Sequence, residues 1–287
     1  MKIGKGIEQI RVDFQVTESV RRYVFVYLLV GKGCYLVDAG VAGCETQIAR
    51  CMENMGRKLE EIRGIFLTHA HPDHIGGAAA IKRLTGCKIY APYREKEWIE
   101  NVEKQYQDRP IPNFYRLVPE AVKVDEAVTE GKGVRLEDGI HMRVLETPGH
   151  SHGSVTYVWE EEGTAFTGDA IPDPSELPIL TDWRQSRASV EKLLQLGGIR
   201  HGCPAWDRVY EAEEWVGCLK ERLSVLDHLK ECVEEAEETC QGSLEEKLAF
   251  TAERMGWRGM VSNPLFCSTY LACREKDREW RQKPSLL

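Results

Sequence analysis

The chain has 287 residues, 42% of them hydrophobic, the ordinary content of a soluble globular protein and enough for one large domain or a domain with an appendage. A net charge of −8 argues against nucleic acid as a partner, because phosphates demand cationic surface. Ten cysteines show no CxxC pairing, and Met1–Glu8 lacks an apolar signal-peptide core, so the expectation is reduced thiols in a cytoplasm with no membrane span.

Residues 8–40 read as strands joined by tight glycine turns, with Tyr27–Gly31 and Cys34–Gly40 forming a hairpin that ends in Asp38. Residues 43–56 have the pattern of an amphipathic helix. The apolar run Gly64–Leu67 then reads as a buried strand, and Ala78–Ile81 as the start of a packed helix. Between them lies Thr68-His69-Ala70-His71-Pro72-Asp73-His74-Ile75-Gly76-Gly77, with three imidazoles and a carboxylate in six positions. Neutral imidazole and carboxylate are ligands for Zn²⁺ and for non-haem iron, and a strand end running into a helix lets such groups converge on one point.

After the strand Lys88–Ala91, residues 92–132 are charged and aromatic, with Trp98, Tyr106, Phe114 and Tyr115 around Arg109–Asn113. Either a lid or a surface helix pair fits this insertion. Residues 134–170 return to strands. Within them Thr147-Pro148-Gly149-His150-Ser151-His152-Gly153-Ser154 offers His150 on a Pro-Gly turn, and Ala165–Ala170 ends an apolar run with Asp169. Ser186–Leu196 reads as a helix, and Ile199-Arg200-His201-Gly202-Cys203-Pro204 places a histidine on a Gly/Pro-rich loop. In each case a ligand-type residue sits where a strand stops and a loop begins.

These residues resemble the metallo-β-lactamase superfamily, with the resemblance covering about residues 8–206. It implies an α/β fold, the four-layer αββα sandwich; the remainder, 207–287, is not fixed by it and reads from its own periodicity as a C-terminal helical extension. It further implies that His69, His71 and His150 bind a first divalent ion, that Asp73, His74 and His201 bind a second, and that Asp169 bridges them. Members usually carry Pro-Gly-His-Gly near the last position, where this chain has Ile199-Arg200-His201-Gly202. Two Zn²⁺ are the expected ions, with iron and manganese the alternatives.

Asp38, costly to bury unpaired, is expected to accept a hydrogen bond from a ligand histidine. His152 either contacts substrate or lies exposed on its loop. Cys203 is expected to pack as a small apolar side chain, and His141 and His228 to be bystanders.

A metal-bound hydroxide attacking a small thioester, lactone or related ester is the reaction expected of such a ligand set, with Asp73 orienting the nucleophile and returning a proton to the leaving group. A phosphodiesterase, an iron-dependent sulfur dioxygenase and a non-catalytic ligand-binding regulator are the competing readings. The tail carries Leu219, Leu223, Leu226, Leu229 and Val233 at helical spacing, and a helix over Ser243–Met255 with Ser243 as its N-cap. Its role is open between holding substrate, forming a homodimer and packing. Arg281–Leu287 are expected to fray.

Overall fold

The computed structural model describes residues 1–17, 20–172 and 176–274; the expectation for 281–287 lies outside them. The chain divides into two compact units. The first comprises Met1–Glu146, Gly153–Asp169 and Gly198–Ala212, and the second comprises Thr147–His152, Ala170–Gly197 and the chain from Glu213 onwards.

The first unit is built on two sheets. Strands β1 (Lys2–Gly4), β2 (Ile7–Gln15), β3 (Arg21–Val30), β4 (Cys34–Val37), β5 (Ile62–Phe66), β6 (Lys88–Pro92) and β7 (Glu126–Val128) form one sheet in chain order. It is antiparallel from β1 to β4 and parallel from β4 to β7. Strands β8 (Gly133–Glu137), β9 (Ile140–Glu146), β10 (Val155–Trp159), β11 (Thr164–Gly168), β12 (His201–Pro204) and β13 (Tyr210–Glu211) form the other, in the order β13-β12-β11-β10-β9-β8.

Strand β3 shows why both faces of the first sheet are apolar. Its side chains alternate between faces, and Val24, Val26 and Leu28 enter one core while Phe25, Tyr27 and Leu29 enter another. The second of these cores is shared by the sheets, since Phe66 and Val37 cluster there with Val144, Tyr157 and Phe166. The first core is covered by helices. Helix α1 (Glu45–Asn54) contributes Ile48 and Met52, one turn apart, and α3 (Ala78–Thr85) contributes Ile81. Between them in sequence, α2 (Pro72–Ile75) is a single turn carrying Asp73 and His74.

The insertion at 92–132 packs on this same core. Helices α4 (Lys96–Glu100), α5 (Val102–Asp108) and α6 (Phe114–Leu117) bury Ile99, Phe114 and Leu117 in it, with Trp98 and Tyr106 alongside. Of the two expectations, the packed helices describe this segment.

In the second unit, α7 (Trp183–Leu194), α8 (Ala212–Thr239), α9 (Leu244–Arg254) and α10 (Pro264–Arg274) are helical as expected. The α8 face buries Leu219, Leu226, Leu229 and Val233, with Arg222 rather than Leu223 buried between Leu219 and Leu226. Ser243 caps α9 through a reciprocal box with Glu246. The unit reaches back before residue 207 because Trp183 Nε1 donates to the Leu226 carbonyl, and Thr269 Oγ1 donates to Pro178 O and accepts from Leu180 N. Among the described residues no helix is long and apolar enough to cross a membrane. None of the ten cysteines, all of them among the described residues, forms a disulfide.

Candidate metal centre

The carboxyl ends of β4, β5 and β11 bring the first unit's polar residues together. Asp38 follows β4 in the left-handed region, with φ of 61°. That turn holds its backbone N–H on the Phe66 carbonyl at 2.9 Å, and the next amide, of Ala39, donates to the His74 carbonyl at 2.8 Å. Its carboxylate is buried at 2% exposure. One oxygen accepts from Thr68 N at 2.8 Å, and the other lies 2.8 Å from His74 Nδ1. The Thr68 hydroxyl is 2.9 Å from Asp38 Oδ2 and 3.0 Å from His69 Nδ1.

These contacts set the imidazole tautomers. An ionised carboxylate only accepts, so His74 donates from Nδ1 and, when neutral, keeps its lone pair on Nε2. The Thr68 hydroxyl has one proton, directed to Asp38, so its oxygen accepts from His69 Nδ1 and leaves the His69 lone pair on Nε2. A single carboxylate thereby orients two histidines. Asp38 thus contacts His74 directly and reaches His69 through Thr68.

The freed nitrogens face one another and a second acid. His69 Nε2 lies 3.0 Å from His71 Nδ1, and His74 Nε2 lies 3.0 Å from Asp169 Oδ1. Asp73 is more remote, 3.9 Å from His74 Nε2, and its side chain is 21% exposed. His69, His74 and Asp169 each offer a ligand atom within 4.8 Å of the others. His74 Nε2 is buried and, although close to Asp169, makes no hydrogen bond of good geometry, as a nitrogen meant for a cation would not. Burial disfavours the His74 imidazolium, but Asp169, Asp38 and Asp73 outweigh it and raise its pKa well above the usual value. Burial raises the Asp73 carboxyl; His74 opposes that shift and Asp169 reinforces it. Protons and a cation compete for the same lone pairs in such a cluster, and His69, His74 and Asp169 are spaced so that they could hold an ion.

The insertion buttresses the turn. Glu95 is 4% exposed and accepts from Ala70 N at 3.2 Å and from Gly153 N at 2.7 Å. Gln105 Nε2 donates to the Ala70 carbonyl. The residue between His69 and His71 is thus gripped at both its amide and its carbonyl. Neither Glu95 nor Gln105 was visible from sequence, because both lie in helices with ordinary polar composition. Arg109, just beyond α5, is desolvated and interacts with the charges of Asp73, Asp169 and Glu95.

His150 belongs to the second unit, on a turn where Gly149 has φ of 129° and the Gly149 carbonyl accepts from Thr181 N at 2.7 Å. Its Nδ1 lies 3.0 Å from the Ile179 carbonyl, so Nδ1 donates and Nε2 keeps the lone pair. His152, two residues on, is exposed. Cys203 is fully buried, and burial raises its thiol pKa, in keeping with packing. His141 pairs with Glu161, and His228 is 55% exposed on α8.

The structure sets His201 apart from this cluster. Strand β12 runs parallel to β11 with His201 level with Thr164 and Pro204 level with Gly168. His201 therefore lies at the start of its strand, while Asp169 follows the end of β11, five residues and roughly 16 Å along at strand rise. There His201 meets Glu211, with Nε2 3.5 Å from the carboxylate, and Thr164, with Nδ1 3.4 Å from the hydroxyl. At the end of β12 that faces Asp169, Ala205 N donates to the Gly168 carbonyl at 3.0 Å. The next side chain is Trp206, whose indole Nε1 donates to Asp169 Oδ1 at 2.8 Å.

Comparison with known proteins agrees with this architecture. The chain matches the family model of the metallo-beta-lactamase superfamily over residues 20–198, and it belongs to that superfamily. Among curated relatives, hydroxyacylglutathione hydrolase GloC of Haemophilus influenzae is 29% identical over 124 residues, 42% of this chain and 56% of that protein. A hydroxyacylglutathione hydrolase of Methylobacterium is 33% identical over 138 residues, 48% of this chain and 43% of the relative. The chain thus spans about half the length of the curated relatives it matches. Two crystal structures share the fold at a TM-score of 0.72. A metallo-beta-lactamase family protein from Thermus thermophilus is 19% identical, covering 94% of this chain and 92% of that one. A beta-lactamase domain protein from Burkholderia ambifaria is 15% identical, covering 94% and 86%.

Proposed function

We propose that the chain is a metal-dependent hydrolase of small thioesters, with lactones and related esters as neighbouring substrates. The observation that carries this is the gathering of His69 Nε2, His71 Nδ1, His74 Nε2 and Asp169 beyond the ends of two strands, β5 and β11, with Asp38, from the end of β4, orienting His69 and His74. The substrate class follows the hydroxyacylglutathione hydrolases among its relatives.

The superfamily resemblance implies that His69, His71 and His150 would hold a divalent ion, most simply Zn²⁺, with Asp169 as a further ligand. Such an ion acidifies water towards neutral pH and polarises a carbonyl oxygen. The remaining steps belong to side chains. Asp38 keeps His69 and His74 presenting Nε2 through its hydrogen bonds to Thr68 and Nδ1 of His74. Glu95 and Gln105 hold the His69–His71 segment in place through Ala70. Asp73 is more open than the buried His74 beside it, with 21% of its side chain exposed against none. In that position it orients the attacking water and returns a proton to the departing thiol or alcohol.

The test is turnover by Zn²⁺-loaded protein on a glutathione thioester, an acyl-homoserine lactone, a cephalosporin and a bis-aryl phosphodiester. Thioester cleavage that vanishes in folded Asp73→Asn and on chelation is the expected result. Oxygen uptake by iron-loaded protein, with none of these bonds cleaved, would replace hydrolysis by oxygen chemistry.

A further inference from the structure

The superfamily resemblance implies two metal ions, and the first position has the donors for one. The second does not. Its histidine, His201, stands at the far end of β12, and the residue at the near end is a tryptophan. An indole N–H is a donor only and cannot ligate a metal. We propose that this chain holds a single divalent ion, and that Trp206 closes the second position.

Three observations converge on this. First, Trp206 Nε1 and His74 Nε2 approach the same atom, Asp169 Oδ1, at 2.8 and 3.0 Å. The oxygen that would share an ion with His74 is therefore capped by the indole proton. Second, Trp206 is fixed where it stands. Its ring packs on Tyr23 with centroids 5.7 Å apart, and the next residue, Asp207, donates its backbone N–H to the Tyr23 hydroxyl at 3.2 Å. Asp207 takes a left-handed φ of 67°, which turns the chain away immediately after the indole. Third, the protein supplies its own cation. The Arg109 guanidinium interacts with Asp73 and Asp169, two of the three carboxylate and imidazole groups left at that position. A dication added there would meet a like charge as well as a missing ligand.

The chemical consequence is a division of labour. Asp73 and His74 then stand beside the ion rather than on a second one, with the Trp206 indole proton held on the Asp169 carboxylate. This inference rests on the metal-binding reading above, and the experiment separates their failures. Wild-type protein and Trp206→His are each loaded with excess Zn²⁺, desalted, and assayed for zinc per chain by mass spectrometry, with circular dichroism as the check on folding. The expected result is one equivalent in the wild type and two in Trp206→His. Two equivalents in the wild type would overturn the inference while leaving the metal-binding reading intact. One equivalent in both folded proteins would overturn the role of Trp206. No retained zinc in the wild type would overturn both. If Trp206→His does not fold, the wild-type value still decides between one ion and two.

Discussion

Replacing Asp38 by Asn tests whether one buried carboxylate sets the chemistry of two histidines. Asn tolerates the left-handed φ of 61° at this position, so the backbone is not the source of any effect. The change swaps one acceptor for an NH₂ group of the same shape. If the amide nitrogen takes the Oδ2 place, it faces His74 Nδ1 at 2.8 Å and the Thr68 hydroxyl at 2.9 Å. His74 must then move its proton to Nε2, where it is donated to Asp169 Oδ1 at 3.0 Å and occupies an oxygen of the ion's ligand set. If the amide flips, the NH₂ faces the Thr68 N–H, which lies 2.8 Å from Oδ1. Either orientation loses at least one hydrogen bond to a charged group, each worth about 1.5–3 kcal/mol. Urea unfolding should show a destabilisation of about 2–3 kcal/mol. Zinc affinity, read by competition with a chromophoric chelator, should fall about 10- to 100-fold, the usual cost of removing a group that orients a metal-ligating histidine. A folded Asp38→Asn protein that binds zinc within about twofold of wild type would refute the tautomer argument.

Other perturbations probe the rest of the scaffold. Glu95→Ala strips the acceptor from the Ala70 and Gly153 amides and should cost about 2–4 kcal/mol in urea unfolding, with zinc affinity reduced; unchanged stability would mean that the insertion does not brace the histidine turn. Gly168→Ala puts a Cβ into Thr68 Oγ1 at a φ of 52°, so a loss of about 1–3 kcal/mol is expected by thermal melting. Ser243→Ala removes the α9 cap and should lower stability by about 1 kcal/mol in the same assay. Because Ser243 lies on the C-terminal helices, thioester turnover should not change, and a loss of kcat would give that region a part in the reaction. His201→Ala should retain zinc at the wild-type level, whereas loss of a full equivalent would restore this residue to the metal site.

Local pattern was enough to determine most strands and helices, though not β7 or β12, the strand-end location of most ligand-type residues, and the Ser243–Glu246 cap. Each is a short-range property: strand and helix periods, turn glycines, and a hydroxyl three residues from a glutamate. Asp38 was legible for a related reason, since an acid at the end of an apolar strand has to find a donor. Sheet register was not legible. Whether His201 or Trp206 reaches Asp169 depends on which residue of β12 pairs with Gly168, and the short segment His201–Trp206 reads equally well in either position. The brace of Glu95 and Gln105 on Ala70 also joins residues 25 and 35 positions apart, with no local signal to announce it. Composition and spacing thus determined what groups this protein has and roughly where each strand delivers them. Only the tertiary structure decided which of them meet, because strand pairing and helix packing fix distances that the chain's local preferences leave open.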